Sequence, residues 1–302
     1  MLVSLSDLLK SAEREKAAIG AFNITNWQTA QAVCAAAEET GRPVIMEYAP
    51  VHTPFLEIED AAEIMLYFAR KTAVPVGVHL DHGASLDICM KGIRLGFTSV
   101  MIDASNLPYE DNIRETAAVV RAAHAAGVSV EAELGRILTS KIGVTETTAS
   151  ALNLPAAEQN PYTDPKAARF FVEQTGVDAL AVAFGTAHGI YETKPKLDLD
   201  LIKKIRRQVK IPLVMHGGSG LTKKEFQTAV KNGVRKINYY TYMSLCAGNA
   251  VKKTLAKESS QPLFFHDIPG IAVEAMKSDV KKVIHIFSNQ QPRRERRGML
   301  FS

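Results

Sequence analysis

VPVGVHLDHG, residues 74–83, decides how the rest of the chain is read. The run VPVGVHL is apolar and partly β-branched, as a strand buried on both faces should be. It ends in Asp81, His82 and Gly83, so a carboxylate and an imidazole stand where the strand gives way to a loop. His79 lies three residues before His82, and side chains on a strand alternate, so the two cannot easily reach one ion together. His79 is therefore read as a supporting residue within the fold, and His82 as the group presented beyond the strand.

Seven further runs have the same character: AIGAFNI (18–24), PVIMEYA (43–49), SVMIDAS (99–105), SVEAELG (129–135), ALAVAFG (179–185), PLVMHGG (212–218) and RKINYYT (235–241). Helical patterns lie between them. WQTAQAVCAAAEETG (27–41) ends in a Gly stop, and DPKAARFFVEQTG (164–176) opens with Asp as cap and Pro at the first helical position. Apolar residues at three- and four-residue steps mark 60–73, 86–96, 112–127, 199–209 and 222–233 as helices. Eight alternations of strand and helix predict an α/β fold, the (β/α)8 TIM barrel, with a doubly wound open sheet as the rival. No composition shift divides the chain, so residues 1–290 are expected to form one barrel domain and 291–302 a basic tail. The long irregular piece 136–163 is of a length that is usually functional or mobile.

Composition narrows the function classes. The chain has 302 residues, 46% hydrophobic and 23% charged, which suits a soluble globular protein. Its net charge of +4 gathers in RRERR (293–297), and the nearly neutral remainder gives no case for nucleic acid. Cys34, Cys89 and Cys246 stand singly, which fits a reducing cytosol. The N-terminal MLVSLSDLLKSAEREK is amphipathic and acid-bearing, unlike a signal peptide, and no apolar run approaches the roughly 18 residues of a membrane span.

In a barrel the site lies at the C-terminal ends of the strands. Those ends carry Asp81 and His82, Glu131 and Glu133, His188 and Gly189 in FGTAHG, His216 and Ser219 in MHGGSG, and Asn238 and Thr241. A lone histidine at such a place is more often a satisfied loop residue than a ligand. Three at one rim, after strands three, six and seven, suit Zn2+ with a coordination position left open. Glu133 is a fourth or alternative ligand. HGGSG before a helix can cradle an anion with backbone N–H groups, and Asn238 and Thr241 would face the same place, which makes a phosphate site. His52, His124, His266 and His285 look peripheral.

From about residue 5 to 245 the chain resembles the class II, metal-dependent ketose-bisphosphate aldolases. The resemblance rests on GAFNITN, HLDHG, GFTSVMIDAS, NIRET, VSVEAELG, GVDALAVAFGTAHGIY, PLVMHGGSG and GVRKINYYT. It implies zinc on His82, His188 and His216, with a second, monovalent cation as accessory, and Glu133 as an acid near the metal. It implies Asp81 as the acid/base acting on the C4 oxygen. Asn23, Gly189, Gly217, Gly218, Ser219, Asn238 and Thr241 match positions that bind substrate, the last six the dihydroxyacetone phosphate part. It also implies a sugar-phosphate substrate of the fructose- or tagatose-1,6-bisphosphate type, a cytoplasmic enzyme, and a homodimer or homotetramer.

Physical logic runs the same way. Retro-aldol cleavage puts negative charge on a ketone oxygen, which a divalent cation stabilises, and the C4 hydroxyl must lose its proton to a nearby carboxylate. A Schiff-base mechanism would need a lysine inside the barrel. ALAVAFG has none, and Lys236 is placed at the start of strand eight, the wrong end.

Departures from the family concern the aldehyde half. The family's acidic Gly-Gly-x-Glu-Asp segment is replaced by RILTSKIGVTE, with Lys141 at the equivalent place and Glu146 as the nearest acid for the C3 proton; a solvated loop acid is an equal reading of Glu146. Ala49 and Val51 stand where Ser and Gly are usual, Tyr240 and Tyr242 where acids are, and Glu192 where Lys is. The Arg-rich tail is read as a solvated end, with an Arg reaching a phosphate across a subunit interface as the alternative. Two rival functions remain open at this point. One is a non-catalytic sugar-phosphate binder, against which Asp81 speaks. The other is a metal-hydrolase barrel, whose strand-one His-x-His is missing from GAFNITN.

Overall fold

The computed structural model describes residues 1–139, 161–191, 193–256 and 262–289. Eight parallel strands close into a barrel, in the order β1 (Ile19–Asn23), β10 (Val234–Asn238), β9 (Leu213–Met215), β7 (Ala179–Val182), β5 (Ser129–Leu134), β4 (Ser99–Ile102), β3 (Val76–Gly83) and β2 (Val44–Tyr48). All eight apolar runs are strands of this barrel. A two-residue pair, β6 (Leu138–Thr139) with β8 (Ala187–His188), sits apart from it.

The helices form where periodicity and caps place them. Asn26 caps α2 (Trp27–Thr40) in a reciprocal box with Thr29, and Gly41 ends it at φ 63°. Asp164 accepts from two backbone N–H groups to start α6 (Pro165–Thr175), and Thr222 with Glu225 boxes the start of α8 (Lys223–Asn232). The other outer helices are α3 (Ile58–Lys71), α4 (Leu86–Arg94), α5 (Tyr109–Ala125) and α7 (Leu199–Gln208). Beyond β10 come two helices that sequence periodicity left unassigned, α9 (Thr241–Leu255) and α10 (Asp267–Phe287). Pro269 falls in the first turn of α10, where its missing N–H costs nothing.

The barrel interior changes character along its axis. At the N-terminal end, Leu5, Leu8, Leu9 and Ala12 of α1 (Leu5–Glu15) pack on Ile19, Ala21, Ile45, Ala179, Ala181 and Val214 as one apolar floor. Above it the fully buried Glu47, His79, Glu131 and Lys236 form a layer of titratable groups. The histidine rim lies above that. Floor and outer shell carry the packing, which frees the upper strand ends for polar groups. Among the described residues, no helix is long and apolar enough to cross a membrane.

Candidate active site

His82, His188 and His216 meet at the rim, with one ring nitrogen of each within 4.8 Å of the others. β3 shifts register between Leu80 and Gly83, and His82 sits in the left-handed region at φ 49°. That conformation is costly for a residue with a Cβ, and such strain gathers at functional sites. Gly83 must follow, because a Cβ there would come 2.6 Å from the Met101 carbonyl oxygen.

Each ring is turned by an acid or left free. His82 directs Nδ1 to Asp103 at 2.7 Å, and His216 directs Nε2 to Glu131 at 2.8 Å. Their other nitrogens, Nε2 of His82 and Nδ1 of His216, face each other at 3.0 Å. Nε2 of His188 is buried with no hydrogen-bond partner. Carboxylates holding the outer nitrogens while the inner ones converge is the arrangement that orients imidazoles around a metal. Burial pushes the His188 imidazole down to about 3, so it stays neutral with a lone pair to give. Burial opposes charge on His82 too, yet Asp81, Asp103 and Glu133 together raise it to about 10. The three-His donor set, with its inner nitrogens converging, fits a divalent cation.

Glu133 belongs to a second donor set with His82 and Asp103. Burial, reinforced by Asp103, holds its carboxyl well above the usual range, and its Oε2 has no partner. It lies within reach of an ion shared with His82, as an alternative ligand would.

Asp81 is held from two sides. Asn23 at the end of β1 donates to Oδ2 at 3.1 Å, and Asn238 at the end of β10 donates to Oδ1 at 3.1 Å. Burial works against its ionisation, but His82, His216 and Lys236 overcome this and keep the carboxylate well below its ordinary range. Asn238 cannot turn its amide over, because its Oδ1 accepts from the Lys236 ammonium at 2.7 Å.

Lys236 corrects the sequence reading. It lies inside the barrel, fully buried, 3.0 Å from Glu131 and 3.3 Å from Glu47. Burial opposes its charge, but Glu131 and Glu47 keep it protonated well past neutrality. An ammonium so held has no lone pair for a Schiff base, so a lysine inside the barrel does not revive that mechanism. A third donor set, Glu47, His79 and Asp81, lies in this layer, where the Lys236 ammonium already supplies positive charge. His79 is the supporting residue expected, with Nδ1 on Ser99 at 2.8 Å.

The turn after β9 is built for close approach. Gly217 has φ 64°, and a Cβ on it would lie 2.4 Å from the Ala187 carbonyl oxygen. Gly218 packs against the end of β10, Ser219 is buried, and Gly189 has φ 90°. The Tyr191 hydroxyl accepts from the Ala187 N–H at 3.0 Å and donates to the Gly217 carbonyl at 2.8 Å, which ties the His188 segment to the glycine turn. Thr241 is the first residue of α9 rather than the end of a strand.

The family described as class-II fructose-bisphosphate aldolase matches residues 3–291. This chain belongs to the class-II fructose-bisphosphate aldolase family. It is 41% identical over 269 residues to the fructose-bisphosphate aldolase of Geobacillus stearothermophilus, covering 85% of this chain and 87% of that one. Identity to the enzyme of the same name from Staphylococcus aureus is 38% over 292 residues, covering 95% and 97%. Among solved structures, the YdjI aldolase from Escherichia coli K12 superposes with a TM-score of 0.82 at 34% identity, over 95% of this chain and 97% of that one. The protein is thus a class-II aldolase, an aldehyde-lyase of a metal-dependent family.

Within that aldolase barrel, Asn23, Asp81, His82, Glu133, His188, His216 and Asn238 lie together at one rim. Glu146, Lys141, Glu192 and the tail lie outside the described residues. Sequence reading missed Asp103, although SVMIDAS ends in it as plainly as VPVGVHLDHG ends in Asp81. It also misplaced His52, which is not peripheral. His52 closes a 3-10 turn (Pro50–His52) after β2, is 9% exposed, and packs with its ring tilted against Tyr240, centroids 4.9 Å apart.

Proposed function

We propose that this chain cleaves a phosphorylated ketose, of the fructose- or tagatose-1,6-bisphosphate type, to dihydroxyacetone phosphate and an aldehyde. The observation that carries the reading is Asp81, an ionised carboxylate fixed by Asn23 and Asn238 beside three converging histidines. His82, His188 and His216 would hold Zn2+, with Glu133 as an alternative ligand and a monovalent cation as accessory. The zinc would stabilise negative charge on the ketone oxygen as a Lewis acid.

Asp81 takes the proton of the C4 hydroxyl as the C3–C4 bond breaks. The bonding pair stays with C3, the C4 oxygen becomes the aldehyde carbonyl, and C3 is then protonated by an acid, a role given to Glu146. Gly189, Gly217, Gly218 and Ser219 offer backbone N–H groups and a hydroxyl to the phosphate, with Asn238 and Thr241 beside them. Lys236 and Glu131 fix the amide of Asn238 and the tautomer of His216. The three unpaired cysteines suit a cytoplasmic enzyme.

The test is release of dihydroxyacetone phosphate from a panel of ketose mono- and bisphosphates, with metal content measured on the same samples. Turnover should vanish with a chelator, return with Zn2+, and survive borohydride added with substrate. Chelator-resistant turnover with borohydride trapping would sink the reading. Ligand affinity without cleavage of any ketose phosphate would replace it with the non-catalytic binder.

A further inference from the structure

The proposed reaction divides the rim in two. The glycine turn after β9 takes the phosphate of the triose half, and Asp81 marks C4. Everything beyond C4 must lie past Asp81, away from that turn. Around the barrel, β10, β1, β2 and β3 are successive neighbours, so this far side is walled by the turn after β2 and the segment after β10.

Those two pieces meet through His52 and Tyr240, whose rings lie 4.9 Å apart at 53°. His52 Nδ1 is buried and has no hydrogen-bond partner. A buried ring nitrogen left unpaired is unfavourable, and a ligand group that bonds to it recovers that cost. Burial brings the ring down to about 4, with Asp81 and His82 near enough to act on it in opposite directions. It is therefore neutral at pH 7. Among the described residues, the two pieces that meet there, residues 50–53 (Pro, Val, His and Thr) and Tyr240, carry no charged side chain. Lys236, the nearest buried cation in the strand below, is engaged by Glu131, Glu47 and Asn238.

A neutral imidazole nitrogen beside a phenol hydrogen-bonds a hydroxyl well and neutralises a phosphate dianion poorly. We infer that His52, with Tyr240 packed against it, selects an uncharged polyhydroxy aldehyde half, so that the preferred substrate is a ketose 1-phosphate rather than a 1,6-bisphosphate. This rests on the metal-dependent aldolase reading above, keeps its dihydroxyacetone phosphate half and departs from it in the aldehyde half.

The experiment compares kcat/KM for ketose 1-phosphates and the corresponding 1,6-bisphosphates. Proton exchange at C3 of dihydroxyacetone phosphate, which needs no aldehyde, is measured alongside. Wild type should favour the monophosphates at least tenfold. His52→Phe keeps an aromatic ring against Tyr240 but has no ring nitrogen, and should lower monophosphate kcat/KM about 10- to 100-fold, largely through KM. His52→Asn, which returns a polar atom, should recover part of that loss. A wild type that exchanges the C3 proton yet favours bisphosphates overturns this inference alone. So does a monophosphate preference that survives both His52→Phe and Tyr240→Phe. A wild type that neither exchanges nor cleaves overturns the aldolase reading itself.

Discussion

His216→Ala should abolish turnover, with kcat falling about 10³-fold or more and bound metal falling below one ion per chain. The size follows from the charge that develops on the ketone oxygen. Its stabilisation by a cation is worth several kcal/mol, and each 1.36 kcal/mol is a factor of ten in rate. His216 is also the histidine most firmly built in, because its Nε2 is bound to Glu131, which in turn contacts Lys236. Removing the ring takes one of three donors from the rim and leaves Glu131 short of a partner. A gentler companion change, Glu131→Gln, keeps the ring but loosens its orientation, and should weaken metal affinity about 10- to 100-fold. Metal analysis by mass spectrometry on the purified variants, beside the product assay, checks both. Full metal content with lost activity in His216→Ala would show that the histidine does not hold the ion.

Asp81→Asn should cost about 10²- to 10⁴-fold in kcat with metal content unchanged. The substitution keeps the shape and removes the base. It also disturbs the hydrogen bonds, because Asn23 and Asn238 both donate to residue 81. Asn238 is locked as a donor by Lys236. An amide at 81 offers one oxygen where two donors converge, so a small loss of thermal stability should accompany the loss of rate. The discriminating measurement is the pair of readouts together: activity gone, metal present. If metal falls with activity, Asp81 acts by keeping the ion and the proton-transfer role is wrong. If activity holds within tenfold, another group moves the C4 proton.

Much of this arrangement could be read in the chain before any coordinates. The eight strands showed because each apolar run is bounded by Pro, Gly or a charged residue, and the polar groups at several of their C-terminal ends have little reason to follow a buried strand except to face a ligand. Asp81, His82, His188 and His216 were legible on those grounds. Lys236 was misread for want of a rule that was at hand. Residues two apart on a strand share a face, so assigning Asn238 to the interior also assigned Lys236. The same spacing puts Glu131 beside Glu133 and His79 beside Asp81. His52 was harder, since its place depends on a turn folding back toward a tyrosine almost 190 positions away, which no local pattern encodes. The two helices after β10 lie beyond the eighth strand–helix alternation that organised the reading, and Pro269 is compatible with the second only because it falls in its first turn.

The Tyr191 hydroxyl spans the Ala187 N–H and the Gly217 carbonyl, so the segment bearing His188 and the turn that follows His216 move as one piece. Two ligands that each order this piece are thermodynamically linked. Whatever factor an anion on the glycine turn adds to the affinity for a cation at the histidines, the cation adds to the affinity for the anion. Titrating one partner with the other present and absent measures that factor, and equal affinities in both conditions would show the phenol bridge to be mechanically silent. A shared tether of this kind makes the order of loading immaterial at equilibrium and lets half-loaded forms be scarce.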